Sequence, residues 1–199
     1  MARLDLFGKH KRHIWQQLCE QIDADFFRAK FPKPDRIEAW HGNWMITIDT
    51  FTIDKVIFTR FRAPYVNRDD FIFTIFREHT GHKIGKIFGL KDIEVGYPDF
   101  DRDFIIRGSD QRKLEMMFAN PNIRQLISFQ PKIRLELRRD APLFAKKFPK
   151  GVNELYFHCS GILSNLDQLH DLYNLFGFAL DHLCAIGTAY EDEPGFAYY

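Results

Sequence analysis

What the chain lacks narrows it first. Cysteine occurs three times in 199 residues, at Cys19, Cys159 and Cys184, widely spaced and without a C-x-x-C. An odd, scattered set excludes a disulfide framework, which a chain of this size does not need. The thiols read as free core residues in a reducing compartment. An excess of either charge is missing as well: 28 Lys and Arg against 27 Asp and Glu leave a formal charge of +1. A field so balanced gives no general steering toward nucleic acid or anionic membrane, and only a local patch stays open. Long apolar runs are absent too. The opening residues through His13 are too polar for a signal peptide. The most apolar late stretch, Leu172 to Ile186, is broken by Asn174, Asp181 and His182. It falls short of the roughly 20 apolar residues a membrane span needs. The expected location is therefore cytoplasmic, with no transmembrane segment.

The usual catalytic signatures are missing in their turn. Gly81, Gly85 and Gly89 are spaced by four, but Gly85-Lys86 is followed by Ile87. A phosphate loop needs a hydroxyl there for Mg²⁺, and no G-x-G-x-x-G occurs, so no cofactor is expected. Ser160 sits in Cys159-Ser160-Gly161, which is not the G-x-S-x-G elbow. His158 adjoins Cys159 on a strand, where neighbours point to opposite faces, and is badly placed to activate it. His182 is two residues from Cys184 and off its helix face. His79 and His82 are the candidate metal ligands, with Asp92 or Glu94 as oxygen donors, although no H-E-x-x-H presents two imidazoles together.

Aromatic residues are plentiful instead. Phenylalanine accounts for 21 residues, and 45% of the chain is hydrophobic, enough for a sizeable core. Ile14, Leu18, Ile22 and Phe26 recur every fourth residue and predict a helix over 10–27. Basic residues precede this stripe and aspartates end it, the unfavourable order for a helix dipole, so packing must hold it. Strands follow at 36–40, 44–49 and 53–62, with His41-Gly42-Asn43 as a tight turn. Pro64 and Asn67-Arg68-Asp69-Asp70 break the pattern. Phe71–Arg77, almost wholly apolar, reads as a central strand. Asp92–Val95 and 104–106 are shorter strands, and the residues between Gly81 and Gly89 read as a hairpin or bulged connection.

Ser109 or Asp110 caps a helix over 111–119, and 123–129 is a second short helix. Ile133, Leu135 and Leu137 alternate with Arg134, Glu136 and Arg138, the pattern of a half-buried antiparallel strand, with 154–160 as its partner. Leu166, Leu169, Phe176, Leu180 and Leu183 give a long C-terminal helix over 164–186 a broad apolar face. The expected fold is α+β: an antiparallel or mixed sheet packed against N-terminal and long C-terminal helices. It forms one domain over 1–189, followed by an acidic and aromatic tail over 190–199.

The most charged stretch is Gly96 to Asp110. Asp99, Asp101 and Asp103 alternate, and in an extended chain all three share one face, where mutual repulsion raises a pKa or recruits a cation. They are the candidate catalytic residues. As a calcium loop the stretch fails, because position six is Phe104 and position twelve Asp110. Arg102, Arg107 and Arg112 stand close enough in sequence to neutralise them, which makes the stretch a structural joint instead. Lys132, Arg134, Arg138 and Arg139, beside Lys146, Lys147 and Lys150, are the best basic stripe, but Glu136 interrupts it and no second nucleic-acid motif supports it.

Residues 10–140 resemble a family of uncharacterised bacterial domains. The likeness lies in the aromatic strands, the connection from Gly81 to Gly89, and Gly96-Tyr97-Pro98-Asp99 leading into Phe100-Asp101 and the strand at Phe104-Ile105. The resemblance implies no known activity and carries no functional residue. Two readings of function remain: a non-enzymatic interaction or scaffold domain that binds a protein partner or itself, and a hydrolase-like or metal-dependent enzyme using Asp99, Asp101 and Asp103.

Overall fold

Alternation decides which way each strand residue faces, and the chain uses it across a whole sheet. In the computed structural model, residues 2–30, 33–78, 91–139 and 148–198 are described. The elements in chain order are α1 (Ala2–Ile22), β1 (Asp25–Phe27), β2 (Arg36–His41), β3 (Trp44–Ile53), β4 (Val56–Asn67), β5 (Phe73–Arg77), β6 (Lys91–Asp92), α2 (Pro98–Asp103), β7 (Phe104–Gly108), α3 (Gln111–Ala119), α4 (Pro121–Ser128), β8 (Arg134–Arg138), β9 (Val152–Ser160), α5 (Leu166–Ala185) and β10 (Ala189–Tyr190). Among the described residues the strands form one sheet in the order β1-β2-β3-β4-β9-β8-β5-β7-β6, with β10 beside β4. Every pairing is antiparallel. The α+β class holds, and β5 is central, between β8 and β7.

One face of the sheet is apolar. Ile37, Ile46, Ile48, Phe61, Phe157, Leu135, Ile75 and Ile106 are buried there with Trp15 and Leu18 of α1, Leu114 and Phe118 of α3, and Leu172, Phe176 and Leu180 of α5, in one core. Edge-to-face ring packing joins Phe61 to Phe157 at 5.9 Å and Phe73 to Phe118 at 5.6 Å. The helices begin where side chains satisfy their free amides. Asp110 accepts from Lys113 N (3.0 Å), Asn120 from Asn122 N (3.0 Å) and Asn165 from Gln168 N (2.8 Å).

Several boundaries differ from the sequence reading. The first helix starts earlier and stops at Ile22, because Asp23 takes φ +51° and turns the chain into the edge strand β1. Phe26 keeps the spacing of the stripe but lies on that strand. The third strand of the sequence reading, 53–62, begins inside a turn: Ile53 pairs with Val56 across Asp54-Lys55, both left-handed at φ +49° and +67°.

The same strand runs through Pro64 to Asn67. Bonds from Gly161 N to Ile57 O and from Asn67 N to Gly151 O turn the odd residues of β4 toward β9. The ring nitrogen of Pro64 thus faces the other side, beyond the last β3 pair, Thr47 with Arg62, where no ladder bond is lost. Where the domain reading passes into the tail, Ala189 and Tyr190 form a strand against Asn67 and Val66.

Candidate functional site

The acidic stretch is built from a turn and a single helical turn and a half. Pro98 suits the first helical position, and Asp99 and Asp101 lie in the first turn, where carboxylates complement the dipole. This helix replaces the extended segment that would have put the three aspartates on one face. Asp101 turns back on the preceding chain and accepts from Val95 N (2.9 Å), Gly96 N (3.0 Å) and Tyr97 N (2.9 Å). Asp99 is 92% exposed and pairs with Arg102 at 2.8 Å, and Asp103 meets the same guanidinium at 3.2 Å. Phe100 anchors the turn by packing on Phe104 and Phe118. A cavity of about 810 Å³ opens beside it, with Asp92, Glu94, Asp101 and Glu115 in its lining. Asp92 in that lining is paired with Arg107 at 2.5 Å. Among the described residues no group of three His, Cys, Asp or Glu side chains is placed to hold a metal ion. His79 and His82 lie outside the described residues, as do Gly81 to Gly89, Lys146 and Lys147.

The thiols are core groups. Burial pushes Cys19, Cys159 and Cys184 up to about 11, so they are protonated at neutral pH and poor nucleophiles. Cys159 faces the helices, whereas His158 faces away and packs on Phe58 and Tyr156 at 5.9 and 5.3 Å. The basic stripe is largely neutralised: Arg134 pairs with Glu136, Arg138 with Glu154, and Arg139 with Asp70.

Sequence reading missed what the sheet does on the face away from the helices. Register places Asp49 opposite Arg60, Arg62 opposite Tyr156, and Arg138 opposite Glu154. Asp49, at 0% exposure, receives Arg60 Nε at 2.5 Å and Nη2 at 2.9 Å, and Arg62 Nη2 at 2.6 Å. A buried carboxylate is tolerable only with such partners. Next to it Glu154, 1% exposed, is held by Arg138, whose guanidinium stacks 3.4 Å from the Tyr156 ring.

The C-terminal segment lies on this ladder. Phe196 packs edge-on against Phe148 at 5.2 Å and against Tyr198 at 5.3 Å. The Tyr198 ring covers the Arg62 guanidinium at 3.7 Å, and its hydroxyl donates to Glu154 Oε1 at 2.5 Å. Burial first, then the Glu154 charge, hold that phenol well above its ordinary pKa, so it remains a donor. The alternating Arg60-x-Arg62 was the one local signal for this network. Of its acids, Asp49 comes from the hairpin arm next in sequence, and Glu154 from a strand that only the fold brings alongside.

No family of known proteins matches the sequence, and no curated protein matches it. In three dimensions the chain is similar to the mycobacterial trehalose monomycolate transport factor A, TtfA, known from a crystal structure. The TM-score is 0.54 at 10% sequence identity, over 91% of this chain and 97% of that one, a likeness of fold.

Proposed function

We propose that the chain is a non-enzymatic interaction domain, and that it meets a protein partner on the sheet face away from the helices. One observation carries this reading: an extended aromatic segment, the chain's own residues 194–198, already sits on that face. It uses a ring over a guanidinium, a phenol on a carboxylate and a ring on a ring. Those are the contacts through which aromatic and arginine anchors give interfaces most of their affinity. A fold shared with a transport factor suits an accessory role of this kind. Three free thiols suit a reducing, cytoplasmic setting.

The test is occupancy of the face in trans. A chain ending at Glu193 is titrated with a labelled peptide of residues 194–199, with binding followed by fluorescence anisotropy and association by light scattering. Saturable binding to the shortened chain, weak binding to the full chain, and loss with a Tyr198→Ala peptide are expected. A shortened, folded chain that ignores the peptide and stays unchanged in association would remove the reading.

A further inference from the structure

The hairpin joining β3 and β4 projects from the sheet. β2 ends its pairing at Arg36 with Asp49, and β9 ends at Ser160 with Phe58. β3 and β4 continue through Thr52 with Ile57, whose carbonyl still accepts from Gly161 N at 2.7 Å, and then alone through Ile53 with Val56. At about 3.4 Å per residue, the tip stands roughly 13 Å beyond the end of β2. Large aliphatic side chains are unusual on such a tip, yet Ile53, Val56 and Ile57 are 55%, 47% and 40% exposed, and Ile162, just after the end of β9, is 37% exposed.

Among the described residues the charge around this tip is one-sided, although the chain as a whole is balanced. Lys55 lies in the loop itself. Arg28, Lys30 and Lys33, all exposed, occupy the loop that enters β2 at the same end of the sheet. Lys132 is exposed before β8, beside Cys159 near the end of β9. The exposed acids nearby, among the described residues, are Asp54 and Asp167. Asp35 is consumed by Lys11 and Arg12, each at 3.1 Å. Glu78, Asp99 and Asp103 belong to the same end but to β5 and the α2–β7 junction, three or more strands from β4, roughly 14 Å or further.

We propose that this end of the molecule is a docking site for an anionic membrane surface. Ile53, Val56, Ile57 and Ile162 enter the boundary between headgroups and acyl chains, and Arg28, Lys30, Lys33, Lys55 and Lys132 meet the headgroup phosphates. Aliphatic groups gain free energy on leaving water for that boundary, and basic groups gain from a negative surface potential. A nucleic acid offers the second gain without the first, since its bases reward aromatic and polar side chains. Projection past the neighbouring strands lets the tip reach a flat surface before the body of the sheet does. This surface is distinct from the one that holds the C-terminal segment, and the two proposals stand or fall separately.

The experiment is vesicle flotation with the full chain. It compares phosphatidylcholine vesicles with vesicles containing one-third phosphatidylglycerol, alongside Ile53→Ser/Val56→Ser/Ile57→Ser and Lys30→Glu/Lys33→Glu variants. Folding of each variant is checked by circular dichroism. Flotation with the anionic vesicles, falling with added salt, is expected. The triple serine variant loses about ten-fold in partitioning, and each removed positive charge costs roughly five-fold. A Val56→Trp chain adds an independent reading, with its emission shifting to the blue and quenched by brominated acyl chains. Equal flotation with neutral vesicles, no flotation, unchanged partitioning of the serine variant, or tighter binding to duplex DNA than to vesicles would each overturn the proposal.

Discussion

At the scale of single residues, three aspartates that would share one face of an extended chain part into different surroundings once the segment is helical. Asp101 spends both carboxylate oxygens on three amides, while Asp99 is exposed and meets an Arg102 that is exposed as well. Asp101→Ala should lower stability in urea by about 2 kcal/mol, because it leaves those amides without a charged acceptor. Asp99→Ala should leave the urea midpoint unmoved. An equal response of the two would mean that the turn is held some other way.

Gly177 offers a second residue-scale case. A glycine inside a helix normally gains about 1 kcal/mol on replacement by alanine. Here a Cβ would meet the His41 ring at 2.8 Å. That ring is stacked over Trp44 and held by both oxygens of Asp181 at 3.0 Å. Gly177→Ala is therefore expected to destabilise by about 1 kcal/mol in thermal unfolding. Combined with His41→Ala, the same change should recover the helix gain.

At the scale of elements, the β3–β4 hairpin shows why turns were the least legible part of the sequence. Two-residue loops of this hand favour Asn-Gly or Asp-Gly, since both residues take positive φ. Asp54-Lys55 carries no glycine, and the strand reading ran straight through the turn into 53–62. Lys55 holds φ +67° at a cost that glycine would not incur. Lys55→Gly should raise stability by about 1 kcal/mol, and a fall in melting temperature would show that the loop depends on the lysine side chain. Helix α1 illustrates the opposite: it runs from Ala2 to Ile22, so the basic residues near 10–12 fall in its middle and Asp23 and Asp25 lie beyond it. What survives of the sequence reading is the apolar stripe, with Trp15 and Leu18 fully buried and the Trp15 indole donating to Leu163 O at 3.0 Å. Packing holds this helix, as the apolar stripe implied, and the shifted ends take those charges away from the poles of its dipole.

At the scale of the molecule, Asp35 ties α1 to the sheet, and its ionisation makes that tie sensitive to acid. Burial alone would raise its pKa. The Ala29 amide at 2.7 Å and the Lys11 ammonium outweigh burial and hold it below the ordinary value. A carboxylate depressed on folding gives stability that is fully present above its unfolded pKa, about 3.9, and lost as pH falls through the folded value. Asp35→Asn should thus be less stable than the parent at pH 6. The gap between them should close below about pH 4, as read from urea midpoints across that range. A gap independent of pH would assign Asp35 a role that does not involve its charge.

Composition and local periodicity sufficed for the α+β class, for the apolar faces of Ile133 to Leu137 and of the last helix, and for a cap at Ser109 or Asp110, of which the structure uses Asp110. They sufficed because burial and hydrogen bonding within a few residues decide those features. Tertiary structure alone decided that Asp49 is shared by Arg60 and Arg62, that Glu154 receives both Arg138 and Tyr198, and that the tail folds onto the sheet. The Glu154 and tail contacts join segments far apart in sequence, and the Asp49 contacts depend on the register of a hairpin whose turn carries no glycine; neither kind of register leaves a mark on local alternation. A carboxylate's role therefore followed from its cross-strand neighbours, not from the charges beside it in the chain.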